Sequence, residues 1–250
     1  MKCTILGVGD VEGHPIATFP DSYNLQGENK LRPGFLVTSG NDTVVFDISP
    51  DIRQQLLYEN VKKISAIFVT HAHFDHFWGI ADLSQLNWVA PITFPVYINS
   101  HIEKYLSQHM PWIKMPFQIY QYNKEYIYDG FTVTPIKVSH SEKYETAGFL
   151  IKSSSGKTVF YAPDYRGVEK QQVTCNIAVV DGCYFFGKYI EDNDEHLGPE
   201  ELKIQIDKLE AEQNYLMGIA PFYYKKTTEE LRKRLPKKYY LPDNFMSFEI

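Results

Sequence analysis

The chain has 250 residues, of which 44% are hydrophobic and 15% aromatic, enough to bury a large core and to exclude a disordered or collagen-like protein. Its formal net charge of −6 argues against a surface devoted wholly to nucleic acid. The three cysteines, Cys3, Cys175 and Cys183, are too widely spaced to indicate a disulfide framework or a cysteine zinc knuckle. These features predict a protein of a reducing compartment.

The longest stretch without a charged residue runs from Leu83 to Ile102. It contains several polar side chains and two prolines, Pro91 and Pro95, so it is a poor candidate for a membrane span. The apolar part of the N-terminus is too short for a signal peptide. We therefore expect a cytoplasmic protein with no membrane partner.

Short β-branched and aromatic runs alternate with capped helical segments along the chain. In chain order, strands are predicted at Thr4–Leu6, Phe35–Thr38, Thr43–Asp47, Ala66–Val69, Val96–Ile98, Phe131–Val138, Ala147–Lys152, Thr158–Tyr161 and Ile177–Val180. Helices are predicted at Asp51–Tyr58, at Ile102–His109 behind a Ser100 and Glu103 capping box, at Glu200–Glu210, and in a short segment capped by Thr227. Nothing resembles a linker. The pattern predicts one domain over residues 1–250, an α/β sandwich of layers.

A dense cluster of potential metal ligands follows the fourth predicted strand, in the six residues His71-Ala72-His73-Phe74-Asp75-His76. With 8 histidines in the chain, chance placement of this pattern has odds of roughly one in two thousand. His71 and His73 lie two apart on an extended segment, so they point the same way and can share one metal ion. Asp75 and His76 come where the chain turns into the next helix, so they are expected to point to a second position beside that metal ion. Four ligands on one loop suit two metal ions better than one.

This loop resembles the signature of the metallo-β-lactamase superfamily, in which a His-x-His-x-Asp-His segment ends a strand. The resemblance implies a four-layer αββα sandwich and a divalent metal site. Superfamily members of the phosphodiesterase type add a lone histidine, a bridging aspartate and a final histidine, and His140 and Asp164 fit the first two. The implied metal ligands are His71, His73, Asp75, His76, His140 and Asp164, holding one or two Zn or Mn ions per chain.

Closer similarity is to the branch that contains the phosphoribosyl 1,2-cyclic phosphate phosphodiesterase of phosphonate breakdown. It is carried by the segments Gly7–Gly9, Gly13–Pro15, Asp47–Gln55, His196–Glu201 and Met246–Ile250. The similarity implies that His14 contacts substrate and that His196 assists catalysis. The branch often has an N-terminal cysteine cluster, which residues 4–30 lack, so we expect no structural zinc.

The final histidine ligand of the family is missing, because no histidine follows His196. Its position is most simply Ile219, which cannot bind a metal. Three alternatives follow: water or substrate completes the second site, the second site is empty, or the protein has lost its activity.

The implied mechanism uses a first metal held by His71, His73 and His140 and a second held by Asp75 and His76, with Asp164 between them. Together they would activate a water as hydroxide for attack on phosphorus. Asp75 and His196 are the predicted catalytic residues, with His196 protonating the leaving alcohol. Alternatively, His196 faces solvent at a helix start or replaces the missing ligand. Asp47 is expected to hydrogen-bond a ligand histidine.

These inferences predict a hydrolase for a small cyclic phosphate ester, either a ribose cyclic phosphate or a cyclic nucleotide. One alternative is a tRNA 3′-end endonuclease, but the basic segment from Lys225 to Lys238 is better explained as a solvated helix face, so long nucleic acid is not the expected partner. Another is a binding protein built on a disabled site. Aromatic clusters such as Tyr184–Phe186 indicate core or dimer contacts, and we predict a homodimer.

Overall fold

The computed structural model describes residues 1–19, 23–187 and 195–250. Within these ranges the strands form two mixed, seven-stranded sheets. The first sheet has the order β14-β1-β2-β3-β4-β5-β6, from Met246–Glu249, Lys2–Gly7, Gly34–Ser39, Asp42–Phe46, Ala66–Phe68, Val96–Ile98 and Phe117–Ile119. The second has the order β13-β12-β11-β10-β9-β8-β7, from Tyr239–Tyr240, Gln213–Met217, Ile177–Asp181, Thr158–Ala162, Thr146–Ser153, Phe131–Val138 and Tyr126–Tyr128.

Helices cover the outer faces of both sheets. In chain order, α1 to α7 are Ile52–Tyr58, Phe74–Phe77, Ile80–Gln85, Ser100–His109, Pro199–Asp207, Pro221–Tyr224 and Thr228–Arg232. One buried cluster lies between the sheets and is rich in aromatics, among them Phe46, Phe149 and Tyr161. A second cluster joins the first sheet to α1, α3 and α4, and a third joins the second sheet to α5 and α7. The result is the αββα sandwich that the sequence predicts.

The strand directions bring several chain segments to one edge of the sandwich. In the first sheet β3 and β4 are parallel. Strands β1 and β3 both pair antiparallel with β2, so β1 runs in the same direction as β3 and β4. In the second sheet β10, β11 and β12 are parallel, and β8 shares their direction through β9. The carboxyl ends of parallel strands in α/β sheets are where ligands bind. The predicted metal-binding loop follows β4 at such an end.

The described part of the chain contains no helix long and apolar enough to cross a bilayer. The charge-free stretch from Leu83 to Ile102 instead contains the end of α3, a 3-10 turn at Leu86–Trp88, strand β5 and the start of α4.

Candidate metal centre

The loop after β4 is shaped by a close approach to the segment after β3. His71 and His73 lie on extended chain, and α2 begins immediately after His73. The backbone of this turn is tied to the neighbouring segment, since Ile48 N donates to His76 O and Gly79 N donates to Ile48 O. A Cβ on Gly79 would lie 2.2 Å from Ser49 O, so only glycine permits this approach. The short helix thereby directs Asp75 and His76 towards the ends of His71 and His73.

Three histidines from two sheets converge on Asp164. His71 Nε2 and His140 Nε2 lie 3.1 and 3.2 Å from Asp164 Oδ2, and His140 Nε2 lies 3.2 Å from His73 Nδ1. One ligand atom from each of the four residues lies within 4.8 Å of the others. Ligand atoms about 2.0–2.1 Å from a tetrahedral Zn²⁺ are separated by about 3.4 Å. The four atoms are therefore spaced as a first metal site requires.

His76 and Asp75 form a second group on the other side of the same carboxylate. His76 Nε2 lies 3.1 Å from Asp75 Oδ2 and 3.4 Å from Asp164 Oδ2. These separations again match those between ligands of one cation. The structure thus brings together all six predicted metal ligands, His71, His73, Asp75, His76, His140 and Asp164.

Two observations show that divalent cations fit this cluster. The Nε2 atoms of His71 and His76 are fully buried and converge on the carboxylates of Asp164 and Asp75, each at 3.1 Å, as ligand atoms around a cation do. Burial holds the pKa of His71 well below its usual value, so its imidazole is the neutral ligand that a metal needs. Burial also opposes a charge on His76, but Asp75, Asp164 and Asp47 outweigh it and raise the pKa of His76 well above its usual value. A bound cation would take the place of that proton.

Asp47 holds the ligand histidines in place through hydrogen bonds, and the sequence predicts such a bond to a ligand histidine. Its Oδ2 lies 2.8 Å from His76 Nδ1 and accepts a hydrogen bond from Tyr161 OH at 3.0 Å. Its Oδ1 accepts from Thr70 N and Thr70 Oγ1, and the same hydroxyl lies 2.9 Å from His71 Nδ1. These bonds fix both rings with Nε2 towards the metal sites.

His196 lies at the edge of the cluster, paired with an aspartate that sequence reasoning missed. His196 Nδ1 is 2.7 Å from Asp181 Oδ2 at the end of β11, and its ring centroid is 5.2 Å from that of His140. Burial disfavours the imidazolium, but Asp181, Asp164 and Asp10 outweigh burial and raise the pKa of His196 to about 10. In the metal-free chain these carboxylates therefore favour the imidazolium form of His196.

A cavity of about 310 Å³ opens onto these groups. The lining contains the predicted site residues His73, Asp75, Asp164 and His196, and also Asp10, Val11, Phe74, Cys183, Tyr184, Glu195 and Tyr223. Asp10 and Cys183 belong to no recognisable motif, and only the folded chain brings them to the site. A larger cleft of about 880 Å³ shares only His140 with the six ligands, so we place the chemistry in the smaller cavity.

The surroundings of two further residues bear on the sequence-based expectations. His14 is absent from the described lining of this cavity, because its backbone pairs with Lys30 and leaves the ring 5% exposed inside the protein. Ile219 packs into the cluster of hydrophobic residues beneath α5, so it does not face the metal ligands. A Cβ added to the neighbouring Gly218 would lie 3.9 Å from Cys183 Cβ, and Cys183 belongs to the cavity lining.

Comparison with known sequences identifies the family. Residues 42–219 match the Beta-lactamase superfamily domain. An octanoyltransferase of Porphyromonas gingivalis is 22% identical over 201 residues, which cover 70% of this chain and 37% of that protein. A ribonuclease Z of Methanocaldococcus jannaschii is 29% identical over 131 residues, 49% of this chain and 38% of the relative. The matched segments thus span less than half the length of these two curated relatives.

Solved structures agree on the fold. A diphosphatase of the PhnP family superposes with a TM-score of 0.82 at 23% identity, covering 100% of this chain and 97% of the other. Zinc-bound PqqB from Methylobacterium extorquens gives a TM-score of 0.76 at 18% identity, covering 100% of both chains. The family match covers more than half of the chain and includes the loop from His71 to His76, so this protein belongs to the metallo-β-lactamase superfamily.

Proposed function

We propose that the protein is a metal-dependent phosphodiesterase that cleaves a small cyclic phosphate ester, either a ribose cyclic phosphate or a cyclic nucleotide. The observation that carries this proposal is a cavity whose lining joins candidate metal ligands to His196, which is held by Asp181. The cluster suits divalent cations, and His196 suits the protonation of an alkoxide leaving group.

Different groups at the site would assist the attack on phosphorus and the departure of the leaving group. When bound, a divalent cation supplies a water with a pKa of about 7 and positive charge for the phosphoryl oxygens. Asp75 lines the cavity and can orient the attacking water by accepting one of its protons in a hydrogen bond. His196 is held through Nδ1 by Asp181, so its Nε2 proton is the one available to the departing oxygen.

The size of the cavity favours a small substrate. A volume of about 310 Å³ lies at the lower end of the range for small-molecule sites. In the basic segment near the C-terminus, Arg232 is already paired with Glu229 and Asp243. This pairing engages one cation of the segment that a nucleic acid would otherwise contact.

The test is hydrolysis of bis-p-nitrophenyl phosphate by purified protein loaded with Zn²⁺ or Mn²⁺. We expect turnover that His73→Ala abolishes and that His109→Ala, a change at an exposed helical histidine, leaves intact. Turnover no greater than that of His73→Ala would reject the enzyme and favour a binding protein.

Natural substrate classes are then compared directly. A ribose 1,2-cyclic phosphate, a cyclic mononucleotide, a diphosphate ester and a precursor tRNA would be supplied to the same preparation. Preference for either cyclic phosphate supports the proposal. Preference for the diphosphate would match the activity named for the PhnP-family neighbour, and preference for tRNA that of ribonuclease Z; either result would overturn the cyclic phosphate assignment.

A further inference from the structure

The cavity at the metal centre has apolar as well as polar lining. Beside the candidate metal ligands, its lining includes Val11 and Phe74, and each of these side chains is 41% exposed. Phe74 lies inside the ligand loop, between His73 and Asp75, whereas the other residues of α2, Asp75 to Phe77, are buried. Exposed apolar surface is therefore present directly beside the site of the proposed chemistry.

Arg32 holds the segments that carry these two side chains together. Its Nε donates to Val11 O at 2.7 Å, and its guanidinium carbon lies 5.6 Å from the centre of the Phe74 ring. Asp51 Oδ1 accepts from Arg32 Nη1 at 3.1 Å and so fixes the guanidinium. We call Val11 and Phe74 the apolar wall. Contacts within the chain position this wall, so a ligand would pay little for ordering it.

A second aromatic ring of the lining is connected to the same arginine. Tyr223 OH donates to Glu12 Oε1 at 3.1 Å, and Glu12 O accepts from Arg32 Nη2 at 3.0 Å. Tyr223 also lines the cavity. The cavity therefore offers the rings of Phe74 and Tyr223 on segments that Arg32 links.

The chemistry of the apolar wall distinguishes between the two candidate substrates. Displacing water from apolar surface is favourable when the ligand presents apolar surface of its own. A ribose cyclic phosphate presents hydroxyl and phosphoryl oxygens, which would lose hydrogen bonds to water against Val11 and Phe74. A nucleobase presents flat faces that stack on aromatic rings. The wall therefore suits a base better than a sugar.

We propose that Phe74, together with Val11, forms a subsite for the nucleobase of the substrate, which is then a cyclic mononucleotide rather than a base-free ribose cyclic phosphate. The inference rests on the proposed phosphodiesterase function and selects one of its two substrate classes. The metal-ligand cluster takes the cyclic phosphate, and the wall takes the base. Phe74 directly precedes Asp75, so the two subsites adjoin in one cavity, as the two parts of a nucleotide require.

The first experiment compares the binding of two ligands that differ by the base. Adenosine 5′-monophosphate and ribose 5-phosphate are titrated by calorimetry into Zn²⁺-loaded protein. We expect the nucleotide to bind ~5- to 150-fold more tightly, which is the effect of one base stacked on an aromatic side chain. Equal affinities, or no measurable binding of either ligand, would overturn the proposal.

Variants then assign the preference to the wall. Phe74→Ala should weaken binding of the nucleotide alone, and Phe74→Tyr should retain the preference for it. Tyr58→Ala removes a 67% exposed ring that is absent from the described lining of the cavity, and it should change neither affinity. An equal loss of affinity for both ligands in metal-loaded Phe74→Ala would show a structural role and overturn the proposal.

A second variant covers the case in which Phe74→Ala disturbs its neighbours. Elemental analysis and circular dichroism show whether each variant keeps its metal and its fold. If Phe74→Ala loses either, Val11→Ser tests the wall from a segment that contains none of the six predicted metal ligands. It should also weaken the nucleotide selectively, and unchanged nucleotide affinity in Val11→Ser would then reject the subsite.

Hydrolysis separates this inference from the proposed function. Equal kcat/KM values for a cyclic mononucleotide and ribose 1,2-cyclic phosphate would keep the phosphodiesterase and reject the base subsite. Base-dependent binding without turnover of either ester would keep the subsite and reject the phosphodiesterase. In an active enzyme, Phe74→Ala should raise KM for the cyclic nucleotide and leave kcat unchanged, because stacking is equal in the ground and transition states.

Discussion

At the scale of single residues, the candidate site contains side chains grouped by a short motif and side chains that only the strand order brings together. His71, His73, Asp75 and His76 can be predicted as candidate ligands from their spacing in one loop. Asp47 can be predicted as their hydrogen-bond partner because it directly follows the neighbouring strand β3. Asp10 and Cys183 are 173 residues apart, and neither belongs to a spacing pattern. Their proximity is a product of strand order, which the sequence does not display.

Asp47→Asn tests the support behind the metal ligands. Asp47 has φ of +60°, a conformation that asparagine also tolerates, so the backbone should be retained. The amide nitrogen cannot accept the bonds that Oδ2 accepts from His76 and Tyr161. We expect metal affinity to fall ~10- to 100-fold and the free energy of unfolding to fall by about 1–3 kcal/mol. Chelator competition and urea unfolding measure the two effects.

Asp129→Asn is the matched control, since Asp129 accepts a hydrogen bond from Asn41 N in a turn outside the cluster. Equal losses of metal affinity in the two variants would contradict a specific role for Asp47.

The His196 and Asp181 pair predicts a pH dependence of stability in the metal-free protein. The pKa of His196 is about 10 in the folded chain, against an ordinary value near 6.5 when unfolded. The folded state therefore binds the extra proton, and its stabilising effect is complete below pH ~6.5 and is lost as the pH rises towards 10. Asp181→Asn should remove most of this slope. Urea unfolding across that range measures the slope, and a parallel profile in the variant would contradict the assignment.

At the scale of helices and strands, hydrophobic periodicity and turn-forming residues predict the centres of elements better than their ends. The strands Val96–Ile98 and Phe131–Val138 agree residue for residue with the prediction. The short helix α2 escapes prediction because its four residues are defined by tertiary contacts rather than by a repeating apolar pattern. Strands β6 and β7 are short and largely exposed, so their sequences carry little β signal.

The cap of α4 shows how tertiary contacts choose between two candidates. The sequence predicts Ser100 as the cap, but Asn99 is the residue whose side chain accepts from Ile102 N. Asn99 Nδ2 also donates to Glu145 O at 2.7 Å, and the residue is 1% exposed. The contact with the second sheet therefore fixes Asn99 in the capping position.

Asn99→Ala should consequently be more destabilising than Ser100→Ala. We expect Asn99→Ala to reduce the free energy of unfolding by about 1–2 kcal/mol, through the lost cap and the unpaired Glu145 carbonyl. Ser100 is exposed, so Ser100→Ala should cost less than about 0.5 kcal/mol. Urea unfolding of both variants measures the two losses of stability. A larger loss in Ser100→Ala than in Asn99→Ala would show that Ser100 is the cap.

At the scale of the whole molecule, the homodimer stays a prediction, and exposed apolar groups indicate where its interface would be tested first. The aromatic run Tyr184–Phe186 is largely buried, so it is core rather than contact surface. Instead, Trp88, Val89 and Trp112 are 88%, 87% and 64% exposed, on segments joined by the bond from Asn87 Nδ2 to Lys114 O. If these side chains form one contiguous patch, it is the kind of surface at which proteins associate.

Light scattering should give twice the chain mass of 29.0 kDa at micromolar concentration. Trp88→Ser should shift the protein towards the monomer, whereas Ile127→Ser, at a residue 81% exposed on another strand, should not. A monomeric wild type would refute the dimer.

The location of the metal centre between the two halves of the sandwich predicts that metal stabilises the whole fold. His71, His73, Asp75 and His76 follow a strand of the first sheet, whereas His140 and Asp164 follow strands of the second. A cation bound to both groups favours the folded state by about 2.7 kcal/mol when its concentration is 100 times Kd. For a chain of this length, we expect chelation to lower Tm by about 5–10 °C.

Calorimetry with and without chelator measures the change, and His73→Ala should respond much less because it has lost a ligand. If chelation left the wild-type Tm unchanged, or lowered that of His73→Ala equally, the cluster would not be a metal centre that joins the sheets.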